Sequence, residues 1–384
     1  MEKAVNELRI PVTIREVKSR KELKQFIHLP AKIHKNHPNW VPPIYMDDWE
    51  FFNPKKNKSF GSCDTILLLA FQNKKVVGRI MGIIHRKYNE QHGEKHVRFA
   101  FFETWNNDAV ADALLQYIEN WGRAKEMIRM VGPLGFSDKD PQGFLIEGFD
   151  EPAVIASNCN FPYQVELLEK RDFVKEVDLV VYQIKIPDPI PEFYLKIYER
   201  ARKLNHGLQV LEFTSRREVK PYIHPVLHLL NSTFTEIFGF IPFSENEMDD
   251  FANRYLFLIN PRFIKIVVND QKEVVAFVIG MSHIGDGIQK AKGYLFPFGI
   301  FRIFAAARKS KQLNLLLGGI APAYRGKGLD VLMGVKMMES ALAARKTVVD
   351  SHLELEYNTK VRAEMEKMGG RVYKRFRIFG KDLI

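Results

Sequence analysis

At 384 residues, with 46% hydrophobic and 12% aromatic content, the chain has the length of two ordinary domains and the apolar fraction of a globular protein with buried cores. Its net charge of +11, from 57 Lys and Arg against 46 Asp and Glu, favours anionic partners such as a phosphate-bearing small molecule, nucleic acid or a membrane leaflet, the plainer reading being a solvated lysine-rich surface. Only Cys63 and Cys159 are present, which argues against a disulfide framework or a structural zinc site. The opening MEKAVNELRIPV has no apolar signal core and no uncharged apolar run reaches spanning length, so a cytoplasmic protein is expected.

In chain order, the first half opens on a helical stretch, Lys21–Lys35. A strand at Thr65–Phe71, a turn and the β-rich run Lys75–His85 then read as a hairpin. Another strand, Val97–Glu103, passes through the short loop Thr104–Asp108, which lacks glycine and arginine, into a helix at Ala109–Lys125. Gly132–Gly143 is dense in glycine and proline and reads as a structured long loop, either functional or a packed connection. The Pro-rich stretch Ile186–Pro191 is the best linker, which divides the chain into domains at 1–186 and 193–384 joined by 187–192.

The second half repeats this order with a helical stretch at Glu218–Phe238, a strand at Phe263–Val268 and the run Glu273–His283. Lys75–His85 and Glu273–His283 align at a constant offset, the sign of an internal repeat, with chance hairpin similarity as the alternative. An aromatic, branched segment, Lys292–Lys309, precedes a buried strand at Leu313–Leu317 and the loop Gly318–Asp330. The following helix carries apolar residues at Val331, Leu332, Val335, Met338 and Leu342. A strand candidate at Thr347–Tyr357, a short helix at Asn358–Gly370 and a last strand at Arg371–Phe379 complete an α/β reading with a mixed (α+β) sheet.

Arg325-Gly326-Lys327-Gly328 is a basic, glycine-rich turn at a helix N-terminus, where backbone N–H groups and the helix dipole suit a pyrophosphate. The spacing is not that of a P-loop. The segment resembles the acyl-CoA loop of the GNAT superfamily of N-acyltransferases, [QR]-x-x-G-x-[GA], with Arg325 and Gly328 in register and Asp330 where a small residue is expected. The superfamily's last motif, N-x-x-A-x-x-x-Y-x-x-x-G-[FY], overlays Asn358–Gly370 without gaps and matches outright at Asn358 and Gly369. The resemblance implies two tandem GNAT-like domains, the first degenerate because it lacks the loop. It implies a CoA site at Gly319, Ile320, Arg325, Gly326, Lys327, Gly328, Leu329 and Asn358. Acyl-CoA, either acetyl-CoA or a long-chain thioester, is then the co-substrate.

Amide formation from a thioester needs a base for the amine, a donor for the oxyanion and a means of stabilising the departing thiolate. His352, Glu354 and Glu356 alternate with Leu353, Leu355 and Tyr357, so an unbroken strand would carry the three ionisable groups on one face. Glu356 and Glu354 are the expected bases, a solvated face being the alternative. The superfamily often uses a tyrosine of its last motif as acid, and Met365 stands at that position. Tyr357 and Tyr373 are nearby substitutes, and neither cysteine is required for direct attack in a ternary complex. His283 recurs in the first half as His85, which favours a structural role. No His, Cys and Asp cluster with ligand spacing is read from the chain, and no metal is expected.

The segment Lys292–Lys309, interrupted by Pro297 and flanked by Lys290, Lys292, Arg308, Lys309 and Lys311, suits a membrane interface or a greasy acyl pocket, with a core strand and helix as the alternative. The layout is also similar to a group of bacterial tandem GNAT-like proteins that includes bacterial ceramide synthases. That resemblance implies a long-chain acyl donor, a lipid amine such as a sphingoid base as acceptor, and peripheral contact with the inner membrane surface. The rival readings are an aminoacyl-tRNA-dependent transferase of the same fold and a non-catalytic module that binds acyl-CoA or protein. No nucleic-acid motif is present, and nucleic acid is not an expected partner.

Overall fold

The structure, a computed structural model, describes residues 11–383. In chain order its strands are β1 (Thr13–Glu16), β2 (Cys63–Gln72), β3 (Lys75–His85), β4 (His96–Thr104), β5 (Arg129–Gly132), β6 (Phe144–Glu147) and β7 (Val174–Lys185). They continue as β8 (Gln209–Glu212), β9 (Ile264–Val268), β10 (Val274–Ser282), β11 (Gln312–Ile320), β12 (Val348–Asp350), β13 (Glu354–Leu355) and β14 (Arg371–Asp382). Residue contacts gather the chain into two compact units. One holds residues 11–150, 157–178 and 376–383, and the other holds 151–156 and 179–375.

In the first unit β1 to β4 form an antiparallel meander, and β5 joins β4 in parallel. The β2–β3 hairpin turns on Asn73 and Lys74, both at positive φ (47° and 63°), the twist that a two-residue hairpin loop demands. The helix Asp108–Ala124 buries Val110, Ala111, Leu114, Leu115 and Ile118, a stripe at helical spacing, against Leu68, Ile80, Val97 and Phe99 of the sheet. Its first turn is capped by the Asn107 side chain, which accepts from Val110 N–H at 3.2 Å. The expected helix at Lys21–Lys35 is two helices, Arg20–His28 and Pro30–Ile33, because Pro30 cannot continue the first.

The second unit repeats the plan. Its β8, β9, β10 and β11 are antiparallel, β12 joins β11 in parallel, and β12 and β13 both pair with residues 179–185 of β7. Alternation along β9 sends Ile264, Ile266 and Val268 toward the helix Ile223–Thr233 and Val267 toward the helix Leu329–Ala343. The aligned runs ending in His85 and His283 are therefore equivalent hairpin strands, each followed by a short helix, Arg86–His92 and Gly285–Ala291. Among the described residues no helix is long and apolar enough to cross a membrane.

The single strand expected at Thr347–Tyr357 is interrupted. From Asp350 to Glu354 the chain advances four residues while the partner strand moves from Gln183 to Val180, three. The extra residue is absorbed at Ser351–Leu353, where His352 adopts φ 60° and Ser351 Oγ accepts from Tyr182 N–H at 2.9 Å. Since paired residues share a face, Asp350 and Glu354 point to opposite faces, and the expected single row of His352, Glu354 and Glu356 does not form.

Both units share one irregularity in their parallel pair. β4 and β5 are bonded only from His96–Arg98 to Arg129–Val131, and β11 and β12 only from Gln312–Asn314 to Val348–Asp350. Beyond these rungs β4 runs on to Thr104 and β11 to Ile320 with their former partners gone. In the first unit the chain itself fills the gap. The carbonyls of Phe99, Phe102 and Thr104 accept from Leu134 N–H at 2.9 Å, Gln164 Nε2 at 3.2 Å and Tyr163 Oη at 2.9 Å. Arg98, at the last rung, is buried and donates to the carbonyls of Gly135 and Phe136. The glycine- and proline-dense loop 132–143 is thus a packed connection.

Replacing Gln164 with leucine should strand the buried Phe102 carbonyl and lower stability by about 1–3 kcal/mol, read as a shift of the urea midpoint at unchanged slope.

Candidate functional site

In the second unit the corresponding edge is bare. Among the described residues no group bonds the β11 backbone between Leu315 and Gly319 on the side away from β10. A one-residue bulge at Leu316, between the pairs Ile279–Leu317 and Gly280–Leu315, bends the strand where it leaves its partner. Unpaired N–H and C=O groups on a strand edge are a template for any extended ligand that carries amides.

That edge leads into the basic glycine turn. A single 3₁₀ turn, Pro322–Tyr324, follows β11, and the helix Leu329–Ala343 begins two residues before Val331. Gly326 (φ 73°) and Gly328 (φ 82°) hold left-handed conformations that other residues adopt only under strain. Gly328 is the N-cap and supplies no side chain, in contrast to Asn107 in the first unit. The N–H groups of Gly326 through Val331 have no acceptor among the described residues. Arg325 is exposed, with Nε 3.2 Å from the Ile320 carbonyl, and Lys327 Nζ stands 4.9 Å from the centre of the Tyr324 ring. The Lys327 carbonyl accepts from Asn205 Nδ2 at 2.9 Å, and buried Leu329 anchors the turn in the core beside Val267 and Met333. Donors and cations therefore converge at a helix start where an anion is favoured.

The expected bases part company. Glu354 lies on the face covered by the helix Leu329–Ala343, and burial pushes its carboxyl up to about 8, with the Glu364 carboxylate adding to the shift. Glu364 is itself raised by burial and by Asp330 in the first turn of that helix. A row of three carboxyls thus runs from the glycine turn to β13. Glu356 instead forms an ion pair with Arg375, and its carbonyl accepts from Arg362 Nη1 at 3.0 Å. Tyr357 is 59% exposed. Asn358 caps the helix Thr359–Lys367 through Oδ1, while Met365 packs into the core.

A second polar group was not legible as a unit in the sequence. Asn314 and Asp350, cross-strand partners at the last rung, are both buried. The Tyr373 hydroxyl donates to Asp350 Oδ2, and Asp350 Oδ1 accepts from His352 N–H at 2.8 Å. Burial, with the Asp350 carboxylate adding to it, holds the Tyr373 phenol far above its ordinary range. His283, its imidazole driven down by burial, feels both Asp350 and Lys374. Asn314 Nδ2 and His283 Nδ1 are buried without a partner. Asn314, Asp350 and Tyr373 come from β11, β12 and β14, and only the register of those strands brings them together.

No protein-family model matches the chain. The chain is 27% identical over 376 residues to the bacterial ceramide synthase of Caulobacter vibrioides, covering 96% of each. It is 24% identical over 382 residues to Protein YghO of Escherichia coli, covering 96% of this chain and 95% of that one. Among solved structures, a tandem GNAT protein from the clavulanic acid biosynthesis pathway aligns with a TM-score of 0.56 at 11% identity, over 97% of this chain and 99% of its own. A GCN5-related N-acetyltransferase from Sphaerobacter thermophilus aligns at 0.51 and 12% identity, over 97% and 96%. Both likenesses extend over nearly the whole chain, and by architecture it has the tandem GNAT fold.

Proposed function

We propose that the chain is an acyl-CoA-dependent N-acyltransferase whose working site is the open edge of β11 and whose acceptor is a lipid amine. The observation that carries this reading is the contrast between the two units, one gap sealed by the protein and the other left bare beside an uncapped, cationic helix start. The CoA pyrophosphate would take the N–H groups of Gly326–Val331 with Arg325 and Lys327. The amide-bearing arm would lie along Leu315–Gly319 and Ile320, with Asn358 Nδ2 available to it. Six residues of extended strand between Ile320 and Asn314 span about 20 Å, which leads the thioester toward the last rung.

There the amine nitrogen attacks the thioester carbonyl, the tetrahedral intermediate expels the CoA thiolate, and an amide and free CoA result without a covalent enzyme intermediate. A free N–H of the open β11 edge, which lies in the plane of the sheet and is not confined to the face of Asn314, is the oxyanion donor of this scheme. Glu354 takes the ammonium proton. Its pKa of about 8 lies near the ordinary thiol value of about 8.5, so handing that proton to the thiolate is close to thermoneutral. The ion pair with Arg375 leaves Glu356 as a support for the site, and exposed Tyr357 stands as a contact for substrate at its mouth.

The lipid acceptor rests on the segment before β11 and on the relative named a ceramide synthase. Its aromatic residues are not core. Phe296, Phe298 and Phe301 are 70%, 67% and 67% exposed at the start of the helix Gly299–Lys309, which buries only Gly299 and Ile303. Exposed Lys290, Lys292, Arg302, Arg308 and Lys309 surround them. Aromatic anchors with a basic rim fit an anionic bilayer surface, each cation contributing about 1 kcal/mol. The first compact unit is then the scaffold copy and the second the catalytic copy.

Three measurements check this. Calorimetric titration should show palmitoyl-CoA binding more tightly than acetyl-CoA, and Arg325→Ala should weaken it about 10-fold or more, the worth of one charge-assisted contact. Binding without thiol release in the presence of any sphingoid base would mark a non-catalytic module.

For Glu354→Gln, kcat should fall about 100-fold and lose the limb that rises through pH 8. The raised pKa also means that folded Glu354 keeps a proton that the unfolded chain releases between pH 4.5 and about 8. Wild-type stability therefore declines as pH rises through that window, and the glutamine variant should flatten the decline in a thermal-melt series.

Phe296→Ser with Phe301→Ser should abolish co-sedimentation with anionic vesicles while leaving the CoA titration unchanged.

A further inference from the structure

The helices Ile223–Thr233 and Glu245–Tyr255 face one another with ligand-bearing side chains. His224 and His228 are one helical turn apart, as are Glu245 and Asp249, so each pair lies on one face of its helix. His224 Nδ1 is 3.1 Å from Glu245 Oε2, and His228 Nε2 is 3.2 Å from Glu245 Oε1. One ligand atom from each of the three residues falls within 4.8 Å of the others. Bonds of about 2.0–2.1 Å at tetrahedral angles place neighbouring ligands roughly 3.3 Å apart, and since the two short contacts go to different oxygens of Glu245, the three ligand atoms would close in from within 4.8 Å as an ion binds. The remaining nitrogen of His224 lies 2.9 Å from Asp249 Oδ1, the outer carboxylate that fixes the ring orientation of a metal-bound histidine.

The local charge agrees. The chain carries a net +11, yet between Lys220 and Arg254 there is no Lys or Arg, while Glu236, Glu245, Glu247, Asp249 and Asp250 fall in that interval. An acidic, imidazole-bearing face on a basic protein selects cations over the anions that the rest of the surface attracts. Hard cations prefer all-oxygen sites, and two imidazoles with one carboxylate suit a borderline ion. As surface ion pairs alone, these contacts would be worth little.

We propose that His224, His228 and Glu245 bind a divalent transition ion, zinc foremost, with Asp249 as the outer partner of His224 and the fourth position open. The ion clasps the two helices across the connection that holds Phe234 to Ser244. Because the helix Ile223–Thr233 packs on Phe277, the cross-strand neighbour of Gly319, the clasp stiffens the layer behind the open edge of β11. A four-residue histidine spacing is common on helices, and it becomes a ligand set only when a second helix supplies the carboxylate, which is why no metal is expected from the order of residues alone.

The test is calorimetric titration of the untagged, chelator-treated full chain with zinc chloride, with cobalt(II) absorption as a geometric probe and a thermal melt at each metal load. One ion per chain at micromolar affinity or better, tetrahedral cobalt bands and a raised Tm are expected. His228→Ala, at an exposed position, should weaken binding at least 100-fold, and Asp249→Asn about 10-fold or more. Binding weaker than millimolar, equal binding by wild type and His228→Ala, or equal displacement by magnesium would overturn the site. Melts of both variants without metal separate loss of ligand from loss of fold.

Discussion

The parting of a parallel strand pair after three rungs is the constraint on which the rest of this structure depends. A strand that leaves its neighbour exposes a row of N–H and C=O groups that must find other partners or stay open to solvent and ligand. The two units meet this requirement in opposite ways. Around β4, a loop and a helix supply a backbone amide, a side-chain amide and a phenol, and a buried arginine closes the last rung. Around β11 nothing of the protein intervenes, and the open row ends in a turn whose glycines direct further N–H groups outward. The same framework is a wall in one place and a groove in the other.

Charge is graded along that groove. Arg325 and Lys327 stand at the helix start, and Asp330 complements the helix dipole in the first turn. Glu364 and Glu354 then continue the acidic row inward under increasing burial. The innermost carboxyl is held neutral until the pH passes its raised pKa. The opposite face of the sheet carries a different chemistry at the rung of Asn314 and Asp350, where hydroxyl, amide, carboxylate and imidazole groups are packed together.

Much of the fold was legible in the sequence because its signals are local. The hairpin repeat, the strand–glycine turn–helix order and the amphipathic helix after the turn follow from alternation, helical periodicity and glycine placement. The broken strand after Asp350 was not legible, since alternation in the letters continues straight through the extra residue and only the partner's register reveals it. Glu354 and Glu356 look alike in sequence, and burial against an ion pair with Arg375 is what separates them. The aromatic segment could be core or surface from its composition alone. Its arrangement as a short helix with Ile303 inward and Phe301 outward decides for surface.

The sealing of the first unit has an evolutionary reading. Three carbonyls on β4 are satisfied by donors from two separate segments, Leu134 in the loop and Tyr163 and Gln164 in the helix Pro162–Glu169. Removing any single donor leaves the others in place and adds one stranded acceptor, so each step toward an open edge lowers stability. A duplicated copy closed in this manner is held there by a ratchet of its own hydrogen bonds. Its surface and loop sequence can vary while this set of donors keeps the β4 edge closed.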